Sequence, residues 1–247
     1  MTTDQPEPAL PGSDLQIVRR QPGGTPDGRL AAALGAAHHS TDVLHELMAD
    51  LNQFMMVYKF GLAEMNTKIT ILAEELTHRG RGNPIEHVRP RLKSTASLTA
   101  KARRLNCPLT FDDVRARIKD IAGIRIVCSF VSDVYTVAEM LTRQPDVHLV
   151  VTKDYIAKPK PNGYRSLHLI VEIPVFMSDR MVAVPVEIQL RTVAMDFWAS
   201  LEHKIYYKHD PEVPATLRAE LVEAAEDAAR WDQRMERLHQ EIHGPRR

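Results

Sequence analysis

Apolar residues follow a helical spacing near both ends of the chain. From Ser40 or Thr41 they recur every three or four positions as far as about residue 79, which predicts a long helix ending at Gly80. Gly61, inside this stretch, marks either a kink or a division into two helices. A second, charged helix with an apolar stripe is predicted from about residue 215 to residue 243, with Gly244 as its stop signal.

Between these two helices the spacing changes to short runs rich in β-branched residues, which predict strands. In chain order, the predicted strands span about 88–93, 120–130, 147–153, 165–173 and 181–191. The predicted helices among them span about 94–105, 110–119, 132–143 and the residues from 192 onwards. This succession predicts an α/β or α+β fold, with a mixed β-sheet flanked by helices.

The last two predicted strands form an antiparallel hairpin, and the first of them begins after Asn162-Gly163. Because successive strand residues point to opposite faces, its core face is formed by Leu167, Leu169, Val171 and Ile173. The opposite, solvated face carries Tyr164, Ser166 and His168. A face with a ring, a hydroxyl and an imidazole beside lysines can hold a base and phosphates, although a plain hairpin loop with a charged rim explains the same residues.

The second strand of the hairpin alternates in the same way. Its apolar face is formed by Val186, Ile188 and Leu190, and its polar face by Glu187, Gln189 and Arg191. Pro185 predicts an edge position or a strand start, because proline has no N–H to donate to a neighbouring strand. The helix from Thr192 is predicted to carry, on its apolar side, Phe197, Trp198, Leu201 and Ile205.

Composition divides the chain into three parts. Residues 1–39 are predicted to form a disordered arm, because their Pro- and Gly-rich beginning has little to bury. Residues 40–210 are predicted to form the folded domain, and residues 211–247 a C-terminal helix that is a candidate for joining subunits.

Charge, cysteine content and the lack of long apolar runs limit the possible ligands and the cellular location of the protein. The 32 basic and 32 acidic residues cancel, which argues against bulk electrostatic binding of nucleic acid but leaves room for a local basic cleft. The two cysteines, Cys107 and Cys128, have no metal-ligand spacing. No signal-peptide pattern or membrane-length apolar run is seen, so we expect a soluble, cytoplasmic protein with no membrane partner.

Two carboxylates are the candidate catalytic groups. Asp120 opens one predicted strand and Glu187 lies on the polar face of another, both in apolar surroundings where an idle carboxylate is costly. Together they can hold Mg²⁺ through oxygen ligands, and one of them can accept a proton from an attacking hydroxyl. The structural alternatives are that Asp120 caps a helix and that Glu187 forms a salt bridge with Arg191.

Basic residues cluster on both sides of these acids. On one side, the groups that can neutralise a polyphosphate or stack on a base are Arg91, Lys93, Lys101, Arg104 and Arg125. On the other side, Lys160 and Tyr164 can do the same for a second nucleotide. The alternative is the solvated face of a surface helix. Neither a Walker loop nor a GxGxxG motif is present.

Four segments of the chain resemble the small alarmone synthetases, the synthetase-only members of the RelA/SpoT family. They are RLKS (91–94), DIAGIR (120–125), KPKPNGYRSLH (158–168) and VPVEIQLRT with DFWASLEH (184–203). The resemblance covers about residues 40–240 and implies a nucleotidyltransferase-like mixed sheet with added N- and C-terminal helices. It also implies Mg²⁺-dependent transfer of pyrophosphate from ATP to the 3′-hydroxyl of GTP or GDP, which yields AMP and pppGpp or ppGpp.

The resemblance assigns roles to individual residues. It makes Asp120 a Mg²⁺ ligand, and Glu187 the acid that contacts the metal and deprotonates the 3′-hydroxyl. The residues that it implies for ATP are Arg91, Lys93, Ser97, Lys101, Arg104 and Arg125. Those that it implies for GTP or GDP are Lys160, Asn162, Tyr164, His168 and Gln189, with Tyr164 stacking on guanine and Asn162 reading its edge.

The resemblance also suggests partners and limits. It implies a synthetase without alarmone hydrolysis, a homotetramer, activation by (p)ppGpp and binding of single-stranded RNA. Two other hypotheses compete with the enzyme: a catalytically silent nucleotide- or RNA-binding module on the same fold, and an oligomeric helical scaffold. The pair Asp120 and Glu187 favours the enzyme, because binding alone does not require both acids beside the phosphates.

Overall fold

The structure, a computed structural model, describes residues 29–78, 82–207 and 214–244. Within these residues there are six helices and five strands. In chain order they are α1 (Arg29–His78), β1 (Ile85–Leu92), α2 (Thr95–Arg104), α3 (Phe111–Arg117), β2 (Ala122–Cys128), α4 (Val131–Thr142), β3 (His148–Asp154), β4 (Leu167–Phe176), β5 (Met181–Thr192), α5 (Val193–Tyr207) and α6 (Ala215–His243). The chain divides into two units, Met1–Gln53 and Phe54–Arg247, and all five strands belong to the second.

The five strands form one mixed sheet in the order β1-β2-β5-β4-β3. The β2–β5 pair is parallel, whereas β1–β2, β5–β4 and β4–β3 are antiparallel. The predicted α+β fold and the β4–β5 hairpin are therefore confirmed. The parallel pair matters for the site, because it places Gly123 of β2 in register with Glu187 of β5.

The predicted alternation in the hairpin is confirmed by burial. All of the predicted core positions in β4 and β5 are buried: Leu167, Leu169, Val171, Ile173, Val186, Ile188 and Leu190. Met65 and Ile69 of α1 are fully buried in the same core. This burial of apolar area supplies the main driving force for packing the helix on the sheet.

α1 continues without interruption through Gly61, so the helix is not divided there. A Cβ atom at Gly61 would lie only 2.5 Å from Cγ1 of Val184 in β5. Real Cβ contacts are not that short, so glycine at this position allows the close approach of α1 to the sheet.

The start of α1 differs from the prediction. The helix begins at Arg29, well ahead of the predicted start at the hydroxyl residues Ser40 and Thr41. The segment 31–37 contains five alanines, the residue with the highest helix propensity, which favours continuation of the helix across the predicted boundary. The end of the predicted arm (29–39) is therefore helical, whereas its first part and Gly80 lie outside the described residues.

Of the two alternatives predicted for Pro185, the strand start is wrong, whereas the edge position is confirmed locally. Pro185 lies within β5, a central strand that has β2 on one side and β4 on the other. Pairing with β2 begins only at Val186, however, and at Pro185 the registered partner is Glu172 of β4. The proline is tolerated because the strand has one neighbour at this position.

Ser166 also differs from its prediction. It is fully buried instead of sharing a solvated face with Tyr164 and His168, and its hydroxyl donates a hydrogen bond of 3.0 Å to the carbonyl oxygen of Leu190. β4 begins only at Leu167, so strand alternation does not extend back to Ser166. The hydroxyl serves to tie the end of the preceding loop to β5.

The apolar side of α5 was predicted only in part. Trp198 is buried and its indole N–H donates to the carbonyl oxygen of Leu221 in α6, 3.0 Å away. Phe197, Leu201 and Ile205 are instead exposed. Helical periodicity showed an apolar stripe wider than the face that α6 covers, and it carried no information about where α6 lies.

α6 packs on the sheet domain and ends at the predicted Gly244, which has a φ of 75°. Asp232 of α6 is buried and accepts a hydrogen bond of 2.6 Å from the hydroxyl of Thr192. The same hydroxyl accepts a hydrogen bond from the backbone N–H of Met195, in the first turn of α5. α6 is thus joined to the end of β5 and the start of α5. No described helix has both the length and the apolarity that crossing a membrane requires.

The buried carboxyl of Asp232 is expected to make the stability of the fold depend on pH. Burial raises its pKa to about 6, although the hydrogen bond from Thr192 acts in the opposite direction. A carboxyl whose pKa is higher in the folded state destabilises the fold once it ionises, so this cost is present above pH 6 and disappears as the pH falls towards 4.

We therefore expect Asp232→Asn to be more stable than the wild type at pH 7.5, by roughly 2 kcal/mol. The difference should shrink steadily between pH 7 and pH 4.5, because the wild type then becomes neutral at this position. Urea unfolding at several pH values measures it. The control is Asp227→Asn, at an exposed position of the same helix. A stability difference that is constant over this pH range would contradict the prediction.

Candidate active site

A cleft of about 280 Å³ lies where β1, β2 and β5 run side by side. It is lined by Arg89, Pro90, Arg91, Lys93, Asp120, Gly123, Ile124, Arg125, Glu187 and Gln189. Sheet register places Gly123 between Arg91 of β1 and Glu187 of β5. The middle of the cleft floor therefore carries no side chain, and charged groups surround it.

Asp120 forms one wall of the cleft, immediately before β2. Its Oδ2 atom lies 2.7 Å from Nζ of Lys101 and 3.1 Å from Nζ of Lys93. Burial acts to raise the pKa of Asp120, but the two ammonium groups outweigh it and bring the pKa below its usual value. Its Oδ1 atom is buried and has no hydrogen-bond partner among the described residues. Asp120 is therefore ionised, and one of its oxygens lacks a hydrogen bond.

Glu187 lines the same cleft, on the polar face of β5. Its Oε2 atom accepts a hydrogen bond of 2.7 Å from the amide of Gln189, and its Oε1 atom lies 3.5 Å from Nδ1 of His168. Burial acts to raise the pKa of Glu187, but the interactions with His168 and Gln189 outweigh it and lower the pKa below its usual value. Arg191, the predicted salt-bridge alternative, pairs instead with Asp196, at 3.0 Å.

Tyr164 continues this network away from Glu187. Its hydroxyl accepts a hydrogen bond of 2.6 Å from Nη2 of Arg191 and lies 2.8 Å from Nε2 of His168. Nη2 of Arg191 also donates to Oε1 of Gln189, at 3.3 Å, which closes a ring of five side chains.

The loop before β4 folds back on itself beside Tyr164. Lys160 accepts a backbone hydrogen bond of 2.8 Å from Gly163, a tight turn with Pro161 at its second position and a φ of 86° at Gly163. Nζ of Lys160 lies 4.6 Å from the ring centre of Tyr155 and 4.7 Å from that of Tyr164. The loop therefore presents an ammonium group over two aromatic rings.

The structure brings most of the sequence-predicted residues together. Six of them line the cleft, namely Arg91, Lys93, Asp120, Arg125, Glu187 and Gln189. Lys101 reaches Asp120 from α2, and His168 with Tyr164 adjoins Glu187.

Three predicted residues lie apart from this group. Ser97 and Arg104 are exposed on α2 and do not line the cleft, and the Ser97 hydroxyl accepts a hydrogen bond from Ser94. The amide nitrogen of Asn162 donates to Glu202 of α5, at 3.1 Å, and its oxygen accepts from the backbone N–H of Tyr164. In the structure Asn162 therefore shapes the loop.

Sequence reasoning missed several residues of the site. Arg89 lines the cleft, and alternation along β1 could have found it, because it is two residues before Arg91. Asp196, in the first turn of α5, pairs with Arg125 and Arg191. Tyr155 lies edge-on to His168, with ring centres 5.3 Å apart. Asp196 is the first residue of the DFWASLEH segment that carries the resemblance, which could have drawn attention to it, whereas no sequence signal separates Tyr155 from ordinary surface residues.

Comparison with known proteins identifies close relatives. Residues 90–212 match the family model described as a region found in RelA/SpoT proteins. The chain is 48% identical over 201 residues to the GTP pyrophosphokinase YwaC of Bacillus subtilis, covering 81% of this chain and 96% of that protein.

Solved structures give the same result. The small alarmone synthetase 1 of Bacillus subtilis bound to its product pppGpp is 36% identical, with a TM-score of 0.73 over 78% of this chain and 98% of that one. The same synthetase bound to AMPCPP is 32% identical in its alignment, with a TM-score of 0.67 over 80% of this chain and all of the other.

The turn beside Tyr164 requires glycine at position 163 for two reasons, its positive φ and the close approach of α6. A pair of glycine variants can separate these two effects. A Cβ atom at Gly163 would meet the Cβ atom of Ala225 in α6 at 2.5 Å, in addition to the strain of a positive φ. Gly82 has a similar φ of 74°, but a Cβ atom there would meet no other atom within 4 Å. We expect Gly163→Ala to lose about 1–3 kcal/mol more folding stability than Gly82→Ala in urea unfolding. Equal losses would show that α6 does not press on the turn.

Proposed function

This chain belongs to the RelA/SpoT family, and on that premise we propose that it is a GTP diphosphokinase that transfers pyrophosphate from ATP to the 3′-hydroxyl of GTP or GDP. The products are AMP and pppGpp or ppGpp. One observation carries the proposal: two ionised carboxylates, Asp120 and Glu187, line a single cleft whose other walls are cationic. Such a cleft can bring two polyanions together with a metal and a base.

The relatives support both proposed substrates, the guanine nucleotide and ATP. The protein that is 48% identical is named a GTP pyrophosphokinase, and a related synthetase has been solved with pppGpp as its product. The same synthetase binds AMPCPP, which is an analogue of ATP. Adenine and guanine nucleotides are therefore the substrates that we propose for the present cleft.

A magnesium ion fits the two acids. Mg²⁺ prefers oxygen ligands and is commonly held by one or two carboxylates together with substrate phosphates. Oδ1 of Asp120 is a buried carboxylate oxygen without a hydrogen bond, and Glu187 lines the same cleft. Among the described residues no group of three or more His, Cys, Asp or Glu side chains is arranged to hold a metal, so the substrates would supply further ligands. Bound Mg²⁺ would neutralise charge on the transferred phosphates.

Glu187 is the proposed base. The 3′-oxygen of the acceptor attacks the β-phosphorus of ATP, and Glu187 accepts the proton that this hydroxyl loses. The bond between the β-phosphorus and the oxygen that bridges it to the α-phosphate breaks, and AMP leaves. The lowered pKa keeps Glu187 ionised and ready to accept a proton. In phosphoryl transfer, in-line placement and charge stabilisation matter more than the strength of the base.

The basic residues divide between the two substrates. Lys93 and Lys101, which neutralise Asp120 in the absence of ligands, can turn to phosphate oxygens. We assign to ATP the residues Arg91, Lys93, Ser97, Lys101, Arg104 and Arg125. We assign to GTP or GDP the residues Lys160, Asn162, Tyr164, His168 and Gln189. For Asn162, reading the guanine edge requires release of its hydrogen bond to Glu202.

Assembly into a homo-oligomer, such as the predicted tetramer, is part of the same proposal. α5 and α6 carry exposed apolar side chains on Phe197, Leu201, Ile205, Leu217, Trp231, Met235, Leu238 and Ile242. Exposed apolar area of this kind is typical of interaction surfaces. Product activation, RNA binding, the absence of hydrolase activity and a cytoplasmic location remain predictions.

Removal of either acid tests the catalytic proposal. The chain is incubated with ATP, Mg²⁺ and GTP or GDP, and the nucleotides are separated. Wild type should yield AMP and a 3′-pyrophosphorylated product, whereas Glu187→Gln and Asp120→Asn should each lose at least about a hundredfold in rate. Glu172→Gln, at a β4 carboxylate outside the cleft, is the matched control. Full activity in either cleft variant would refute the assigned role.

The stacking role of Tyr164 has a separate test. Removing the ring should raise KM for the guanine nucleotide about tenfold or more, because stacking of a base on an aromatic ring contributes about 1–3 kcal/mol. KM for ATP should change much less. Tyr135→Ala, at an exposed tyrosine of α4, serves as the control for loss of a ring. Equal changes in both KM values for Tyr164→Ala would exclude the assignment.

A further inference from the structure

A single carboxylate joins two arginines behind the cleft. Oδ1 of Asp196, in the first turn of α5, lies 3.1 Å from Nη1 of Arg125 and 3.0 Å from Nη1 of Arg191. The Arg191 side chain is only 6% exposed and that of Asp196 only 16%, so solvent screens these pairs weakly. Arg125 is one of the residues that we assign to ATP, which together form the ATP half of the site. Arg191 lies on β5 beside Gln189, one of the residues that we assign to GTP or GDP, which together form the acceptor half.

The two terminal nitrogens of the Arg191 guanidinium contact different groups, Asp196 on one side and residues of the proposed acceptor half on the other. Nη1 contacts Asp196, while Nη2 donates to the hydroxyl of Tyr164 at 2.6 Å and to Oε1 of Gln189 at 3.3 Å. The central carbon of the guanidinium lies 5.1 Å from the centre of the Tyr164 ring. A planar fork can make these contacts at once, whereas a lysine ammonium presents a single point of charge.

Asp196 is itself fixed in place by the surrounding fold. It follows Thr192, whose hydroxyl caps the first turn of α5 and is held by Asp232 of α6. The position of the carboxylate is thus set by β5, α5 and α6 together. Without its negative charge, the guanidinium groups of Arg125 and Arg191 would repel each other across a partly buried space.

We infer that Arg191, anchored by Asp196, is a positioning residue that holds Tyr164 and Gln189 in place for the acceptor nucleotide. By sharing Asp196 with Arg125, it also ties the acceptor half of the cleft to the ATP half. This inference rests on the proposed function, since it takes Tyr164 and Gln189 as acceptor contacts. Arg191 acts through these neighbours and is assigned no contact with the reacting atoms.

The inference predicts a different pattern for each change. Arg191→Lys keeps the charge opposite Asp196 but loses the fork, so only the acceptor half should suffer. Asp196→Asn releases both arginines, so both halves should suffer. Tyr164→Phe keeps the ring and removes only the hydroxyl that Arg191 contacts, so it should reproduce the acceptor defect of Arg191→Lys.

Calorimetric titration of the full chain with GDP alone and with AMPCPP alone tests these patterns without any turnover. We expect Arg191→Lys to weaken GDP binding roughly fivefold or more while AMPCPP binding stays within about twofold. Asp196→Asn should weaken both. The double variant Arg191→Lys/Tyr164→Phe should lose less GDP affinity than the sum of the two single losses, because both changes break the same hydrogen bond between Arg191 and Tyr164.

Arg180→Lys is the matched control, since Arg180 pairs with Asp179 in the β4–β5 turn, outside the cleft. Equal losses of GDP and AMPCPP affinity in Arg191→Lys, or additive losses in the double variant, would overturn the inference. If Arg191→Lys fails to fold, Tyr164→Phe alone decides, and unchanged GDP binding would overturn it. Because binding is measured without turnover, the pattern can hold even if no alarmone forms, which would refute only the proposed function.

Discussion

Asp120 and Glu187 remain ionised in a partly buried cleft because each is surrounded by hydrogen-bond donors. Burial by itself raises the pKa of both carboxyl groups, and only the lysines beside Asp120 and the His168 and Gln189 contacts of Glu187 reverse it. This balance between burial and hydrogen bonding explains why other polar groups surround the two acids. The two acids need cations and donors close by, and those same groups are the ones that would bind polyphosphate when substrates arrive.

Sheet topology brings these charges together. β2 and β5 run parallel at the centre of the sheet, so that Asp120, just before β2, and Glu187, near the middle of β5, line one cleft. β1 adds a row of basic side chains along the edge, and Gly123 leaves the floor open. The acceptor half is built differently, because its tyrosine stands on a loop that α5 and α6 support through Asn162 and Gly163. The acceptor half of the site thus combines two strand residues, His168 and Gln189, with a braced loop.

Several features could be predicted from local sequence alone. Alternation in β4 and β5 identified the buried face correctly, since a strand with one buried face must repeat every two residues. Ser94 and Thr110, the first residues of two predicted helices, both accept a backbone hydrogen bond as helix caps do. Predictions failed where a residue's surroundings come from distant parts of the chain. Ser166 is buried against β5, and most of the predicted apolar side of α5 is exposed.

By itself, the sequence determined the order of helices and strands, the inward faces of the hairpin and the chemical types of the site residues, because these depend on neighbours along the chain. The resemblance of short motifs also supplied candidates for the acidic and basic residues of the site. Tertiary structure alone decided which charges meet. Asp196 joins Arg125 and Arg191 only because the first turn of α5 folds back against β2 and β5. A carboxylate's partner depends on three-dimensional distance, and sequence separation carries little information about that distance.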